Sequence, residues 1–210
     1  MIGSYGVLYK TVNILISLLG FKSFCISFKL MKNLIILMAL ITSSPGIIFN
    51  FGTQNHTETW RIVNDGVMGG LSTSSITENK NTVLFKGETS LENNGGFASI
   101  RTLIEKGSLK NCKTMTIRFK SSSTDRTFGL SLKTSQRYYV PYHKFTFKPK
   151  SGDWEVLKVN ISEFKHYRIS EIIGDNMPLD VLPEVFNIAL IVSDSKAGAF
   201  DIEIDYIKFE

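Results

Sequence analysis

From Phe51 onward, apolar and polar residues alternate in short runs, and this two-residue period is typical of β-strands. The clearest alternating runs are 115–119, 128–132, 157–161 and 200–205. Residues 186–192 are almost continuously apolar, which predicts a central strand that is covered on both faces. Weaker strand candidates are 82–86, 97–103, 138–140 and 144–147.

Clusters of turn-forming residues separate these runs, at 92–96, 121–125 and 150–153. Many short strands at this spacing, without a long helical period, predict an all-β sandwich or barrel. A short helical turn is expected around 163–167. Neither an internal repeat nor a second compositional region interrupts the chain after residue 50, so we expect residues 51–210 to form one domain.

The first 50 residues have a different pattern and predict a hydrophobic leader. Met31 and Lys32 precede a short apolar run, 33–41, and a breaker segment follows at 42–46. This order is typical of a signal peptide and predicts an exported or envelope-associated protein that contacts membrane only through its leader. Translation from Met31, with 1–30 as a spurious extension, is the favoured interpretation; a long leader or signal anchor over 1–50 is the alternative. A mitochondrial presequence is disfavoured because the segment has no arginine.

The formal charge of +5 is distributed unevenly along the chain. Residues 1–50 contain four lysines and no acidic residue, which leaves 20 basic and 19 acidic side chains, a net charge of +1, for residues 51–210. A nearly neutral domain lacks the electrostatic footprint that nucleic acid requires, so we expect no nucleic-acid partner.

Two glycine-rich segments carry more information than the strands. Residues 60–72 read WRIVNDGVMGGLS, and residues 90–101 read SLENNGGFASIR. Glycine permits positive φ and close backbone approach, while Asn and Asp fold back on neighbouring amides. The two segments therefore indicate either tight turns that close the sandwich or polar loops that receive a ligand or partner.

These two segments, together with FKG at 85–87 and the ending GAFDIEIDYI at 198–207, resemble the complex I intermediate-associated protein 30 family. The resemblance covers nearly all of 48–210 and implies a galactose-binding-like jelly-roll β-sandwich. It also implies a chaperone-like assembly factor for respiratory NADH:ubiquinone oxidoreductase, with respiratory-chain subunits as protein partners and no cofactor.

For this non-catalytic binding module, we expect the contact residues to come from the glycine segments. The amides and carboxylate would supply hydrogen bonds, the methionine an adaptable apolar contact, and the arginine a fork for a carboxylate. The candidates are Asn64, Asp65, Met68, Gly69, Gly70, Asn93, Asn94 and Arg101. An internal tie between strands is the alternative role for Arg101.

No catalytic or metal-binding motif is present, because the three histidines, His56, His143 and His166, belong to no HExxH, GxSxG or zinc pattern. We therefore expect no enzyme and no metal; two carboxylates facing each other across a deep pocket would instead indicate a hydrolase. The alternative function is carbohydrate binding in the cell envelope, since jelly rolls commonly hold sugars on aromatic platforms. The platform candidates are Tyr138, Tyr139, Tyr142 and Trp154.

Overall fold

The computed structural model describes residues 46–52 and 56–210. The signal sequence predicted from Met31 and the possible extension 1–30 lie outside the described residues. Within the described part of the chain, regular structure consists of thirteen β-strands and five short 3-10 turns. None of its helices combines the length and apolar composition that crossing a bilayer requires.

The strands follow each other closely along the chain. They are β1 (Ile48–Asn50), β2 (Arg61–Asn64), β3 (Thr73–Glu78), β4 (Val83–Thr89), β5 (Ala98–Leu103), β6 (Thr114–Lys120), β7 (Phe128–Lys133), β8 (Tyr142–Phe147), β9 (Glu155–Asn160), β10 (Lys165–Arg168), β11 (Glu171–Gly174), β12 (Asn187–Val192) and β13 (Gly198–Phe209). The 3-10 turns are His56–Thr59, Asp65–Met68, Glu92–Asn94, Ile161–Glu163 and Leu179–Glu184.

All strand pairs are antiparallel and form two sheets. The first sheet has the order β3-β4-β13-β6-β9, and β1 pairs with the C-terminal half of β13. The second sheet has the order β11-β10-β8-β7-β12-β5-β2. The described residues therefore confirm the predicted all-β jelly-roll sandwich.

The core forms where the inward side chains of both sheets meet. Alternation along β7 buries Phe128, Leu130 and Leu132, and alternation along β13 buries Phe200 and Ile202. The ring of Phe200 lies 6.4 Å from that of Phe128 across the interior. The sheets thus pack face to face, and each sheet turns its other set of alternating side chains outward.

The first sheet also includes Ile48–Asn50, just ahead of residue 51, and the Phe49 ring lies 5.5 Å from the Trp60 ring. Two local predictions were wrong. Residues 138–140 form a turn because the chain reverses there between β7 and β8. The helical turn expected at 163–167 ends at Glu163, and β10 begins at Lys165.

Candidate functional site

The two glycine segments form neighbouring loops at one end of the second sheet. One loop follows β2 and begins with the 3-10 turn Asp65–Met68; the other precedes β5 and contains the 3-10 turn Glu92–Asn94. Because β2 and β5 pair antiparallel, with Asn64 opposite Ala98, the end of one strand lies beside the start of the other. The fold therefore brings both predicted segments together.

Asp65 fastens these two loops to each other. Its side chain is only 1% exposed, and its carboxylate accepts hydrogen bonds from the backbone N of Ser72 at 2.9 Å and of Gly96 at 2.6 Å. The Ser72 hydroxyl and the Phe97 backbone N also donate to it. This buried position corrects the expectation that Asp65 offers hydrogen bonds to a partner, because all of them are used inside the domain.

The electrostatics of Asp65 agree with this structural role. Burial alone would raise the pKa of the carboxyl, but the hydrogen bonds from Ser72, Gly96 and Phe97 outweigh burial and lower the pKa below its usual value. The carboxylate is therefore charged at neutral pH and holds its donors strongly.

The glycines make room for this carboxylate. A Cβ on Gly70 would lie 2.4 Å from Asp65 Cγ, and a Cβ on Gly95 would lie 2.7 Å from Asp65 Oδ2. Gly69 has a φ of 88°, in the left-handed region that glycine adopts without strain. Gly70 thus makes room for the carboxylate, and Gly69 allows the chain to turn beside it.

The predicted asparagines divide between internal and exposed positions. Asn64 accepts a hydrogen bond from the Ser74 hydroxyl at 2.8 Å, which ties β2 to β3 of the other sheet. Asn93 is exposed and donates to the Gly69 carbonyl at 3.1 Å, so it forms a second bridge between the loops. Asn93 and Asn94 both have positive φ, a conformation that asparagine tolerates better than most residues.

An apolar surface covers the outside of the two loops. Val67 and Met68 are 72% and 63% exposed, and Leu71 and Leu91 are also largely exposed. We call Val67, Met68, Leu71 and Leu91 the loop surface. Of the predicted contact residues, Met68 is the one that the structure places on this surface. Its three aliphatic neighbours were not predicted, because the sequence does not show whether a single apolar residue in a loop is buried or exposed.

A second unusual surface lies on the outer face of the seven-stranded sheet. Arg61 on β2 is directly opposite Arg101 on β5, and Lys133 and Lys144 extend the group across β7 and β8. We call Arg61, Arg101, Lys133 and Lys144 the cationic face. A cleft of about 590 Å³ runs along its β2–β7 part and is lined by Arg61, Arg101 and Lys133.

Tyrosine rings complete this surface. Tyr142 on β8 stacks on Tyr167 of β10, with ring centroids 5.9 Å apart. The Lys133 ammonium lies 4.8 Å from the Tyr142 ring centre, and the Lys144 ammonium lies 4.3 Å from that of Tyr167. Each ring is thus already in contact with the other ring and with one lysine.

Charge crowding and burial shift the pKa values on the cationic face. Burial, and then the charges of Arg101 and Lys144, lower the pKa of Lys133 to about 8. Burial lowers the pKa of Lys144 as well and raises the pKa of Tyr142 to about 12. Among the residues that the structure describes, none of the four cations forms an ion pair with a carboxylate.

The four predicted aromatic residues do not form one platform. Tyr138 and Tyr139 are exposed in the β7–β8 loop and contact each other edge-on at 5.6 Å. Tyr142 belongs to the cationic face. Trp154 lies on the opposite side of the sandwich, where Arg118 covers its ring at 4.5 Å.

The three acidic residues that β13 turns outward on the first sheet are engaged. Asp201 accepts hydrogen bonds from Ser122 and Ser123, Glu203 pairs with Lys120, and Asp205 pairs with Arg118. A second cleft of about 530 Å³ lies beside them and has Asp201 as its one carboxylate among the described residues. Within the same residues, no three His, Cys, Asp or Glu side chains converge on a point where a metal ion would bind.

Comparison with known proteins gives a family and a fold. The family model described as complex I intermediate-associated protein 30 matches residues 49–204. The comparison with curated proteins found no match.

Three solved structures share the fold. The family 11 carbohydrate-binding module from Clostridium thermocellum, in complex with a β-1,3-1,4-mixed-linked tetrasaccharide, superimposes with a TM-score of 0.57 at 14% identity, over 80% of this chain and 96% of the module. The family 11 module of the cellulosomal cellulase Lic26A-Cel5E of the same organism gives 0.57 at 12% identity, over 80% and 95%. The agarase AgWH50C gives 0.52 at 9% identity, over 79% of this chain and 26% of the agarase. At these identities the likeness is one of fold alone.

Proposed function

The chain belongs to the complex I intermediate-associated protein 30 family, and from this premise we propose that its sandwich is a non-catalytic assembly factor that holds a partner polypeptide while a respiratory complex I is built. The observation that carries the proposal is the loop surface, whose four aliphatic and methionine side chains stand exposed on a fixed support. Assembly factors need such a surface, because their clients present apolar segments before they reach their final position.

The loop surface differs from a flexible loop because hydrogen bonds hold its two segments together. Asp65 accepts two hydrogen bonds from Ser72 within the first loop and two from Gly96 and Phe97 of the second loop, and Asn93 adds a third link between the loops by donating to Gly69. A surface that is already ordered loses little conformational entropy on binding, so its apolar contacts contribute more of their free energy to affinity. Met68 is suited to clients of different shape, because its side chain is unbranched and polarizable.

The test is quantitative co-purification from the native host with the full chain. We expect the wild-type protein to enrich subunits of respiratory complex I, and Met68→Glu combined with Leu71→Glu to reduce that enrichment by about tenfold, since a charge placed in an apolar contact is not compensated. Val156→Glu is the matched control, because Val156 is equally exposed on the outer face of the other sheet.

Equal enrichment by wild type and the loop variant would contradict the proposal, as would the absence of complex I subunits from both. Thermal unfolding of each variant shows whether a lost interaction reflects a lost surface or a lost fold. Both substituted residues are exposed, so we expect all variants to remain folded.

For localisation, we propose export guided by the segment from Met31 to residue 46, of which 31–45 are outside the described residues. N-terminal sequencing of the mature protein tests this proposal: a new N-terminus after the apolar run 33–41 supports it, and an intact Met1 or Met31 in a cytosolic fraction contradicts it.

Carbohydrate binding is the second candidate, favoured by the exposed pair Tyr138 and Tyr139. Their loop continues from Ser135 and Gln136, which line the 590 Å³ cleft, so a sugar chain in the cleft would pass beside exposed aromatic faces. Reproducible binding on a glycan array that is lost in Tyr139→Ala, and retained in Val156→Glu, supports this function. Absence of binding on a broad array contradicts it.

A further inference from the structure

The cationic face contains charges that no carboxylate of the described residues neutralises. Arg126, the most deeply buried cation among the described residues, forms two parallel hydrogen bonds with Asp194, at 3.0 and 2.9 Å, and its other donors reach backbone carbonyls and Thr89. Lys144 is only 7% exposed, yet its ammonium contacts the Tyr167 ring and no carboxylate within the described chain. A buried ammonium without a counter-ion is costly, because the interior replaces water poorly around a charge.

The backbone makes specific room for this lysine. A Cβ on Gly129 of β7 would lie 2.9 Å from Lys144 Cδ and 3.2 Å from its Cγ. Glycine weakens the interior of a strand. Its presence at position 129 therefore indicates that room for the Lys144 stem matters more here than the stability of the strand. The Lys144 side chain is therefore held on the outer face in a fixed position.

The four cations extend across the sheet in one direction. They belong to β2, β5, β7 and β8, and β12 lies between β5 and β7. Neighbouring strands are about 4.8 Å apart, so the row from β2 to β8 is roughly 19 Å long. An extended polypeptide of about six residues has the same length.

No carboxylate points outward from these strands to neutralise the row. The outward positions of β5, β12 and β7 are occupied by small, polar or aliphatic residues in addition to Arg101 and Lys133. Lys165, at the far end on β10, already pairs with Asp175. The field above the β2–β8 part of the sheet is therefore positive, and it attracts anions.

The chemistry of the face favours ionic recognition over stacking. Tyr142 and Tyr167 are stacked on each other and contacted by Lys133 and Lys144, so they offer less free ring surface than a sugar or base platform requires. Arginine forks match carboxylates, and Arg61 and Arg101 stand side by side.

We propose that the cationic face binds an extended acidic segment of the partner polypeptide, whose carboxylates pair with Arg61, Arg101 and Lys133, while the buried Lys144 adds to the attracting positive field. The proposal rests on the proposed function for the kind of partner, and it names the chemistry of that partner. The cationic face also lies close to the loop surface. Arg61 is three residues, about 10 Å, from the end of β2, where the first glycine loop begins.

The test uses the purified full chain and a labelled peptide of about eight residues that alternates Glu and Gly, with the Gln–Gly peptide of equal length as its neutral match. We expect the Glu peptide to bind, the Gln peptide not to bind, and the affinity to fall between about 50 mM and about 500 mM salt. Arg101→Gln combined with Lys133→Gln should weaken binding by about tenfold or more.

Lys80→Gln combined with Lys86→Gln is the matched control. It removes the same charge from exposed positions in the β3–β4 hairpin of the other sheet, and it should leave binding unchanged. Equal weakening by both double variants, or equal binding of the Glu and Gln peptides, would overturn the proposal. Tighter binding of polygalacturonate or of a single-stranded oligonucleotide than of the Glu peptide would overturn the assignment to a polypeptide.

The two proposals fail separately. If Met68→Glu with Leu71→Glu leaves complex I subunits bound while the Glu peptide still requires Arg101 and Lys133, the role of the loop surface is wrong and the acidic ligand stands. If the loop variant loses its partners and the Glu peptide does not bind, the acidic ligand is wrong and the assembly role stands.

Discussion

Arg61 and Arg101 face each other directly across the antiparallel pair β2 and β5, so two guanidinium side chains project from the same place on the outer face of the sheet. Like charges at directly opposite positions destabilise a strand pair. Burial lowers the pKa of Arg101, but the residue remains charged at neutral pH. The pair thus reduces the stability of the sheet while it concentrates positive charge where the acidic segment would bind.

We therefore predict that Arg61→Thr stabilises the domain by about 0.5 kcal/mol at low salt, because it removes the repulsion at Arg101. Salt screens the repulsion, so the gain should shrink at about 500 mM salt. Urea denaturation at both salt concentrations measures the difference. Lys86→Thr makes the same kind of substitution on β4, and a salt-independent gain of equal size in both variants would show that strand propensity, not repulsion, is responsible.

Asp65→Asn should destabilise the domain by about 3 kcal/mol. The amide turns an NH₂ group toward the donors of Ser72, Gly96 and Phe97 and leaves at least one of these buried donors without an acceptor. Chemical denaturation at neutral pH measures the loss. Ser72→Ala should cost less, because it removes one donor and leaves the carboxylate with three; a neutral Asp65→Asn would contradict the role of Asp65 as the link between the loops.

The same link predicts opposite outcomes for two glycines in one loop. Gly70→Ala places a Cβ 2.4 Å from Asp65 Cγ and should cost about 2–3 kcal/mol, because the carboxylate cannot move without breaking its hydrogen bonds. A Cβ on Gly66 has no atom within 4 Å, so Gly66→Ala should be neutral or slightly stabilising. Thermal unfolding of the two variants side by side tests the packing, and equal effects would contradict it.

In the two glycine loops, the sequence predicts the backbone conformation but not which polar side chain is buried. The residue types at 60–72 and 90–101 indicated either tight turns with bound Asn and Asp side chains or polar loops that receive a partner, and Asn93, Asn94 and Gly69 adopt the left-handed backbone that tight turns need. The sequence does not tell which polar side chain becomes covered when two loops meet, and so it assigned Asp65 to a partner although Asp65 is buried.

The alternating run predicted at 128–132 continues in β7 to Lys133, which comes directly after the inward-facing Leu132 and so points away from the core. Alternation alone does not place Lys133 near Arg101. That proximity depends on β12, which is far away in the sequence and inserts between β5 and β7. Alternation within a strand is a local property, whereas the order of strands in a sheet is decided by packing of the whole chain.

Lys133→Met should stabilise the domain at pH 7, with a benefit that disappears as the pH rises. The pKa of Lys133 is about 8 in the folded protein and 10.5 ordinarily, because burial, Arg101 and Lys144 disfavour its charge. The unfolded chain therefore binds more protons between pH 8 and 10.5, and wild-type stability gains on the variant across this window. Thermal unfolding at pH 7, 9 and 10 measures the difference, and a gain that does not change with pH would contradict the low pKa.

His143 and His166 form a stacked pair whose ring centroids lie 4.5 Å apart and whose rings are nearly parallel. Burial, and then the neighbouring His166, lower the pKa of His143 to about 4 from the ordinary 6.5. Between these values the unfolded chain takes up a proton that the folded chain excludes, so acidification from pH 6.5 toward 4 should reduce the free energy of unfolding.

His143→Phe fills a similar space without a titrating group, and it should make the urea midpoint less sensitive to pH in this window. His166→Phe removes only the neighbouring ring nitrogen charge and should leave most of the sensitivity, because burial is the larger cause. An equally steep acid response in wild type and His143→Phe would place the titrating group elsewhere in the domain.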